Sequence, residues 1–187
     1  PIPVFRALEG HGPITLVQVD AHLDWRDERG GVPEGYSSPM RRAAEMDHID
    51  KLFQLGLRAQ GSARAGEVEA AQDYGANLVT DRELQARGLQ SILNDIPDGG
   101  TYYLTIDADG MDPAIMPAVA GPAPGGVTYL QVLELIHGLS AKGRFIGMDI
   151  VEITPKRDLN EITCITAGQL MQNFIGLQAR KKLIRDS

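Results

Sequence analysis

Residues Ile14–Val19, ITLVQV, form a short, mostly apolar and β-branched run. A run of this kind reads as a strand buried on both faces, and such a strand needs helices above and below its sheet. Similar runs recur at residues 51–57, 77–80, 101–107 and 144–153, with helical patterns between them at 39–46, 62–74, 81–93 and 128–139. A short helix at residues 4–8 and a terminal helix from Glu161, basic at Arg180, Lys181 and Lys182, complete the pattern. Strand and helix in strict alternation predict an α/β fold, three-layer α/β/α, with a mostly parallel sheet. Ser38 and Pro39 read as an N-cap and first helical position, and Asp81 as the cap of the 81–93 helix.

Three strands finish in acid. The first runs into Asp20-Ala21-His22-Leu23-Asp24, the fourth into Asp107-Ala108-Asp109, and the last carries Asp149-Ile150-Val151-Glu152. In an open parallel sheet, ligands bind beyond the carboxyl ends of the strands, so these clusters fall on one edge. Asp20, His22 and Asp24 are two residues apart, a spacing that sends side chains of an extended chain to the same side. Carboxylates gathered at the mouth of a buried strand are costly to keep charged unless a cation joins them. Asp20, His22, Asp24, Asp107 and Asp109 supply four carboxylates and one imidazole, too many for one tetrahedral zinc. Oxygen-rich ligation with some nitrogen points toward manganese, and the count favours two Mn2+ ions sharing a carboxylate. Asp112, before Pro113, belongs to a turn.

The same three segments, with Pro124-Gly125-Gly126 and the Gly35-Tyr36-Ser37-Ser38-Pro39-Met40-Arg41-Arg42 stretch, resemble the ureohydrolases, the arginase and agmatinase family, and its agmatinase-like members most. The resemblance covers nearly the whole chain. It implies a dinuclear manganese site that hydrolyses a guanidino group and releases urea, with water activated between the ions. By that resemblance Asp20 and Asp107 bridge the two ions, Asp24 serves one, and His22 and Asp109 serve the other. Glu152 resembles the acid that holds the substrate guanidinium, a planar cation suited to a bidentate pair. Asp109 or Asp24 would pass a proton to the leaving amine. The expected substrate is agmatine or a related guanidino-alkyl amine or acid, and relatives are commonly trimers or hexamers.

Two departures from the family pattern stand out. Its first metal-binding histidine lies in a Gly-Gly-Asp-His stretch before a helix resembling residues 1–8, so the single ureohydrolase-like domain over residues 1–187 is expected to lack its N-terminal portion. Where many members carry a proton-shuttling histidine before a glycine, this chain has Glu34-Gly35; Glu34 either shuttles protons, if burial raises its pKa, or is a solvated loop residue. Competing readings are a catalytically impaired relative acting as regulator or scaffold, and a mononuclear zinc deacetylase-like hydrolase.

The net charge of −7 argues against nucleic acid, and no apolar run is long enough to cross a bilayer. The single cysteine, Cys164, fits a reducing, cytoplasmic compartment and reads as a core thiol. His11 and His48 read as solvent-exposed, His137 as packed, and Asp149 as a buried partner for an arginine or a backbone donor. Trp25, Arg26 and Arg29 either read the far end of a substrate or belong to an exposed loop.

Overall fold

The computed structural model describes residues 1–185. Its strands are β1 (Ile14–Val19), β2 (Ile49–Leu57), β3 (Asn77–Thr80), β4 (Thr101–Asp107) and β5 (Arg144–Val151). Its helices are α1 (Ile2–Ala7), α2 (Pro39–Ala44), α3 (Glu67–Tyr74), α4 (Asp81–Arg87), α5 (Leu89–Asp95), α6 (Tyr129–Lys142) and α7 (Ile162–Arg185). The five strands make one parallel sheet in the order β3-β2-β1-β4-β5.

Side chains of β1 alternate between two cores, as a strand with a period of two requires. Ile14 and Leu16 join Phe5, Met40, Leu52 and Ala71 on the face covered by α1, α2 and α3. Val17 and Val19 join Leu84, Ile92, Val132, Leu135 and Leu170 on the face covered by α4 to α7. All six residues of β1 are buried. The α/β/α layering expected from the alternating pattern is therefore the observed fold.

The sheet order reverses between β1 and β4, the neighbours from which the chain winds in opposite directions. Such a switch point leaves a crevice at the carboxyl edge where the connections part. Val19 pairs with Ile106, so Asp20 and Asp107, one residue on, leave neighbouring strands at the same level. Asp107 in turn pairs with Val151, and Glu152 follows directly. Beneath this edge Gly110 approaches β1 so closely that an added Cβ would lie 2.5 Å from the Asp20 backbone nitrogen. Gly110→Ala is expected to destabilise the protein by about 3 kcal/mol, because backbone rather than a pliant side chain must give way. A denaturant titration measures that loss.

Several boundaries differ from the expected ones. The 81–93 helix is two helices, broken at Gly88 (φ 75°, ψ 150°), and its cap is Thr80, whose hydroxyl accepts from the Glu83 amide at 3.1 Å. The 62–74 helix begins only at Glu67, after Gly66 in the left-handed region. Strand β5 stops at Val151 because Glu152 adopts φ 62°. Among single residues, His48 is half-buried and its Nε2 bonds the Phe5 carbonyl at 2.8 Å. His137 and Cys164 are exposed, each on the outward side of its helix. Asp149 takes hydroxyl donors, Tyr103 Oη at 2.8 Å and Thr105 Oγ1 at 2.7 Å, rather than an arginine. Among the described residues, no helix is long and apolar enough to cross a membrane.

Candidate metal centre and substrate cavity

Asp20, His22 and Asp109 present donor atoms that all lie within 4.8 Å of one another. The His22 Nδ1 stands 3.1 Å from Asp109 Oδ2 and 3.5 Å from Asp20 Oδ1. Backbone amides steady both carboxylates: His22 N donates to Asp20 Oδ1 at 2.6 Å, and Ala21 N to Asp109 Oδ1 at 3.3 Å. Asp107 Oδ1 accepts from the Asp109 amide at 3.0 Å, which folds the chain after β4 into a short 3-10 turn. Asp24 follows in the left-handed region (φ 53°), as does Glu152 (φ 62°) at the end of β5. Such conformations in non-glycine residues cost of order 1–3 kcal/mol each and gather where side chains are aimed for a purpose.

The electrostatics of this cluster call for positive charge. Burial, with repulsion from neighbouring carboxylates, pushes Asp20, Asp24 and Asp107 well above the usual carboxylate range. Hydrogen bonds to Asp109 and Asp20 push His22 up to about 10. Burial also works against Asp109, but its bonds to His22 outweigh that and hold it below the ordinary value. In the metal-free protein an imidazolium thus stands in the midst of the acids as their counter-charge. Divalent cations suit the same donors better, since each carries two charges and leaves the imidazole neutral as a ligand. Asp20, His22 and Asp109 could together hold one ion, and the charges of Asp24 and Asp107 repel those of that group's carboxylates.

A buried amide relay fixes the orientation of Asp20. Gln54 Nε2 donates to both Gln18 Oε1 (2.7 Å) and the Leu23 carbonyl (2.8 Å), and Gln18 Nε2 donates to Asp20 Oδ2 (2.6 Å). Two acceptors force the Gln54 amide nitrogen to that side, at the cost of leaving its buried Oε1 without a partner. Gln18 must then turn its own nitrogen toward Asp20. These two residues pair in register across β1 and β2, and they were not singled out in the sequence, although a polar residue inside an apolar strand is a usable signal. Gln18→Leu should weaken metal binding about 10–100-fold, as loss of a ligand-orienting partner does. Calorimetric metal titration tests this, with Gln54→Leu expected to act in the same direction but less.

Arg58 is a third residue the sequence did not flag. Its guanidinium donates to six main-chain carbonyls, those of Gly56, Asp109, Gly110, Met111, Ala123 and Pro124. From just beyond the end of β2 it ties the turn carrying Asp109 to residues 123 and 124.

Above the acids opens a cavity of about 590 Å³, walled by His22, Asp24, Asp107, Asp109 and Glu152 together with Leu23, Trp25, Arg26, Arg29, Tyr36, Glu67 and Gly121. Trp25 is 2% exposed and packs against Tyr74 with ring centroids 5.8 Å apart, so it is a fixed wall rather than an exposed loop residue. Arg26 Nε donates to Glu67 Oε1 at 2.9 Å. Glu34 is a correction to the expected site. It is exposed, ion-paired to Arg6 of α1 and not part of the cavity wall. The bond from Arg6 pulls its pKa down and commits its charge to that pair.

A parallel sheet between helical layers, with carboxylates and an imidazole converging at its switch point, defines an α/β/α protein with a candidate centre for divalent cations. Comparison with known proteins narrows this. The family model described as "Arginase family" matches residues 1–176, and the chain belongs to that family. It is 33% identical over 180 residues to a guanidinobutyrase of Pseudomonas aeruginosa, covering 93% of this chain and 56% of that protein. Against the mitochondrial agmatinase of Gallus gallus it is 31% identical over 176 residues, covering 90% and 51%. Among solved structures, the proclavaminate amidino hydrolase of Streptomyces clavuligerus superimposes with a TM-score of 0.85 at 26% identity, over 96% of this chain and 61% of that one. The chain thus spans little more than half the length of the curated relatives it matches.

Proposed function

We propose that the protein is a manganese-dependent ureohydrolase that cleaves a guanidino compound, agmatine or a related molecule, to urea and an amine. The observation that carries this reading is the meeting of Asp20, His22 and Asp109, the last two on the wall of a cavity that Glu152 also lines. A pair of divalent ions held by Asp20, His22, Asp24, Asp107 and Asp109 would supply Lewis acidity, lowering the pKa of water enough to make it a nucleophile near neutral pH.

The chain's own residues account for the rest. Glu152 pairs with the substrate guanidinium in two parallel hydrogen bonds and sets its carbon over the acids. Trp25 and Leu23 give the alkyl chain a dry surface. Asp109 moves a proton from the attacking water toward the departing amine nitrogen, so that water and guanidinium yield urea and an ammonium. A cytoplasmic location and assembly into a trimer or hexamer belong to the same reading, supported by the family resemblance and the lone Cys164.

The test is urea release by manganese-loaded protein from agmatine, 4-guanidinobutyrate, 3-guanidinopropionate and arginine. Glu152→Gln should lower kcat/KM by roughly 100-fold or more, the scale for breaking a charge-assisted pair at a binding surface. No urea from any of these compounds would overturn the proposal.

A further inference from the structure

The charged groups of the cavity wall divide into those already neutralised and those left open. Arg26 is spent: Nε bonds Glu67 and Nη2 bonds the Ser62 carbonyl at 2.9 Å. Glu67 is spent as well, since its other oxygen accepts from the Arg64 amide at 2.8 Å. The inner acids face the cation centre. That leaves Glu152, an acid with no ion pair, and Arg29, a guanidinium with no carboxylate partner among the described residues.

Arg29 is nonetheless held in place. Its guanidinium lies 5.3 Å from the Tyr36 ring centroid and donates to the Tyr36 hydroxyl. Its backbone is pinned by reciprocal bonds with Val32, N to O at 3.1 Å and O to N at 3.2 Å. Both Arg29 and Tyr36 line the cavity. A substrate with an ammonium tail finds no free carboxylate on this wall beyond Glu152 and the inner acids, and it meets an unshielded cation. A carboxylate tail finds a guanidinium whose planar fork suits it.

We infer that the cavity selects a zwitterion: the substrate class is an ω-guanidino carboxylate, with Glu152 for the guanidinium and Arg29, steadied by Tyr36, for the carboxylate. The inference rests on the ureohydrolase reading and narrows it. Because Arg29 is exposed, its contribution is about tenfold rather than that of a buried pair.

The test compares 4-guanidinobutyrate with agmatine, which match in length and differ in tail charge. The expected kcat/KM ratio favours the acid about tenfold, shrinks at high salt, and inverts in Arg29→Glu. Calorimetric binding of the same two compounds to metal-free protein gives a readout independent of turnover, and Arg29→Glu should reverse that preference too. Urea from both compounds with agmatine preferred, or a ratio insensitive to Arg29→Glu and to salt, overturns the inference while leaving the ureohydrolase reading intact. If neither these two nor 3-guanidinopropionate and arginine yield urea, that broader reading fails. Equal binding of the two in calorimetry then overturns the zwitterion site as well.

Discussion

Asp107→Asn is expected to make the metal-free protein more stable and to remove the hydrolytic activity proposed for it. The two effects have one origin. Asp107 sits among Asp109, Asp24 and Glu152 in a buried position, where its charge is opposed by burial first and by those neighbours next. Asparagine keeps an Oδ1 to accept the Asp109 amide at 3.0 Å but carries no charge. Relief of a buried like-charge cluster is worth about 1–3 kcal/mol. For a chain of this length that raises Tm by roughly 2–10 °C. Activity moves the other way, because an amide oxygen is a poorer partner for a cation than a carboxylate. Loss of groups that merely orient a ligand costs 10–100-fold, so loss of the ligand itself should exceed about 100-fold. Melting in chelator and urea release in manganese measure the two halves. A lower Tm for the variant in chelator would show that the carboxylate is structural.

The elements that frame this site were legible because burial leaves a continuous apolar mark. Residues 14–19 and 101–107 stand between helices on both faces, so nearly every position is buried and most are apolar. Parallel strands put all carboxyl ends on one edge, which is why acids ninety residues apart along the chain could be expected together. What was illegible is what depends on contacts across the chain. Arg58 reads as an ordinary loop arginine until its six carbonyl partners, five of them more than fifty residues downstream and gathered by folding, are seen. Cys164 looks like a core thiol by its neighbours, yet α7 turns Thr163 and Thr166 inward instead. Glu34 shows the converse failure: its place before Gly35 suggested a role by position, and the salt bridge to Arg6 places it outside the cavity. Gln18 and Gln54 were visible as polar letters in apolar runs, but only the register of β1 on β2 makes them a relay.

In chelator, the protein should lose stability as pH rises from 5 to 8.5. Burial raises Asp20, Asp24 and Asp107 in the folded state, and hydrogen bonds to Asp109 and Asp20 raise His22 to about 10. In the unfolded chain carboxyls release their protons near 4 and imidazole near 6.5. Across the window the folded state therefore binds more protons than the unfolded one, and stability must fall with pH. Asp109 shifts the opposite way, but its effect lies below pH 4, outside the window. Each proton held only by the folded state contributes a slope of about 1.4 kcal/mol per pH unit. For a protein of this size that is roughly 3–5 °C in Tm per unit. Saturating manganese should flatten or invert the slope, since cations replace those protons and bind more tightly as the ligands lose them. The gap between melting curves with and without metal then widens steadily with pH. A metal-free Tm that climbs between pH 5 and 8 would mean that the acids are ionised and already compensated by the chain itself, and the cation centre would lose its electrostatic reason to exist.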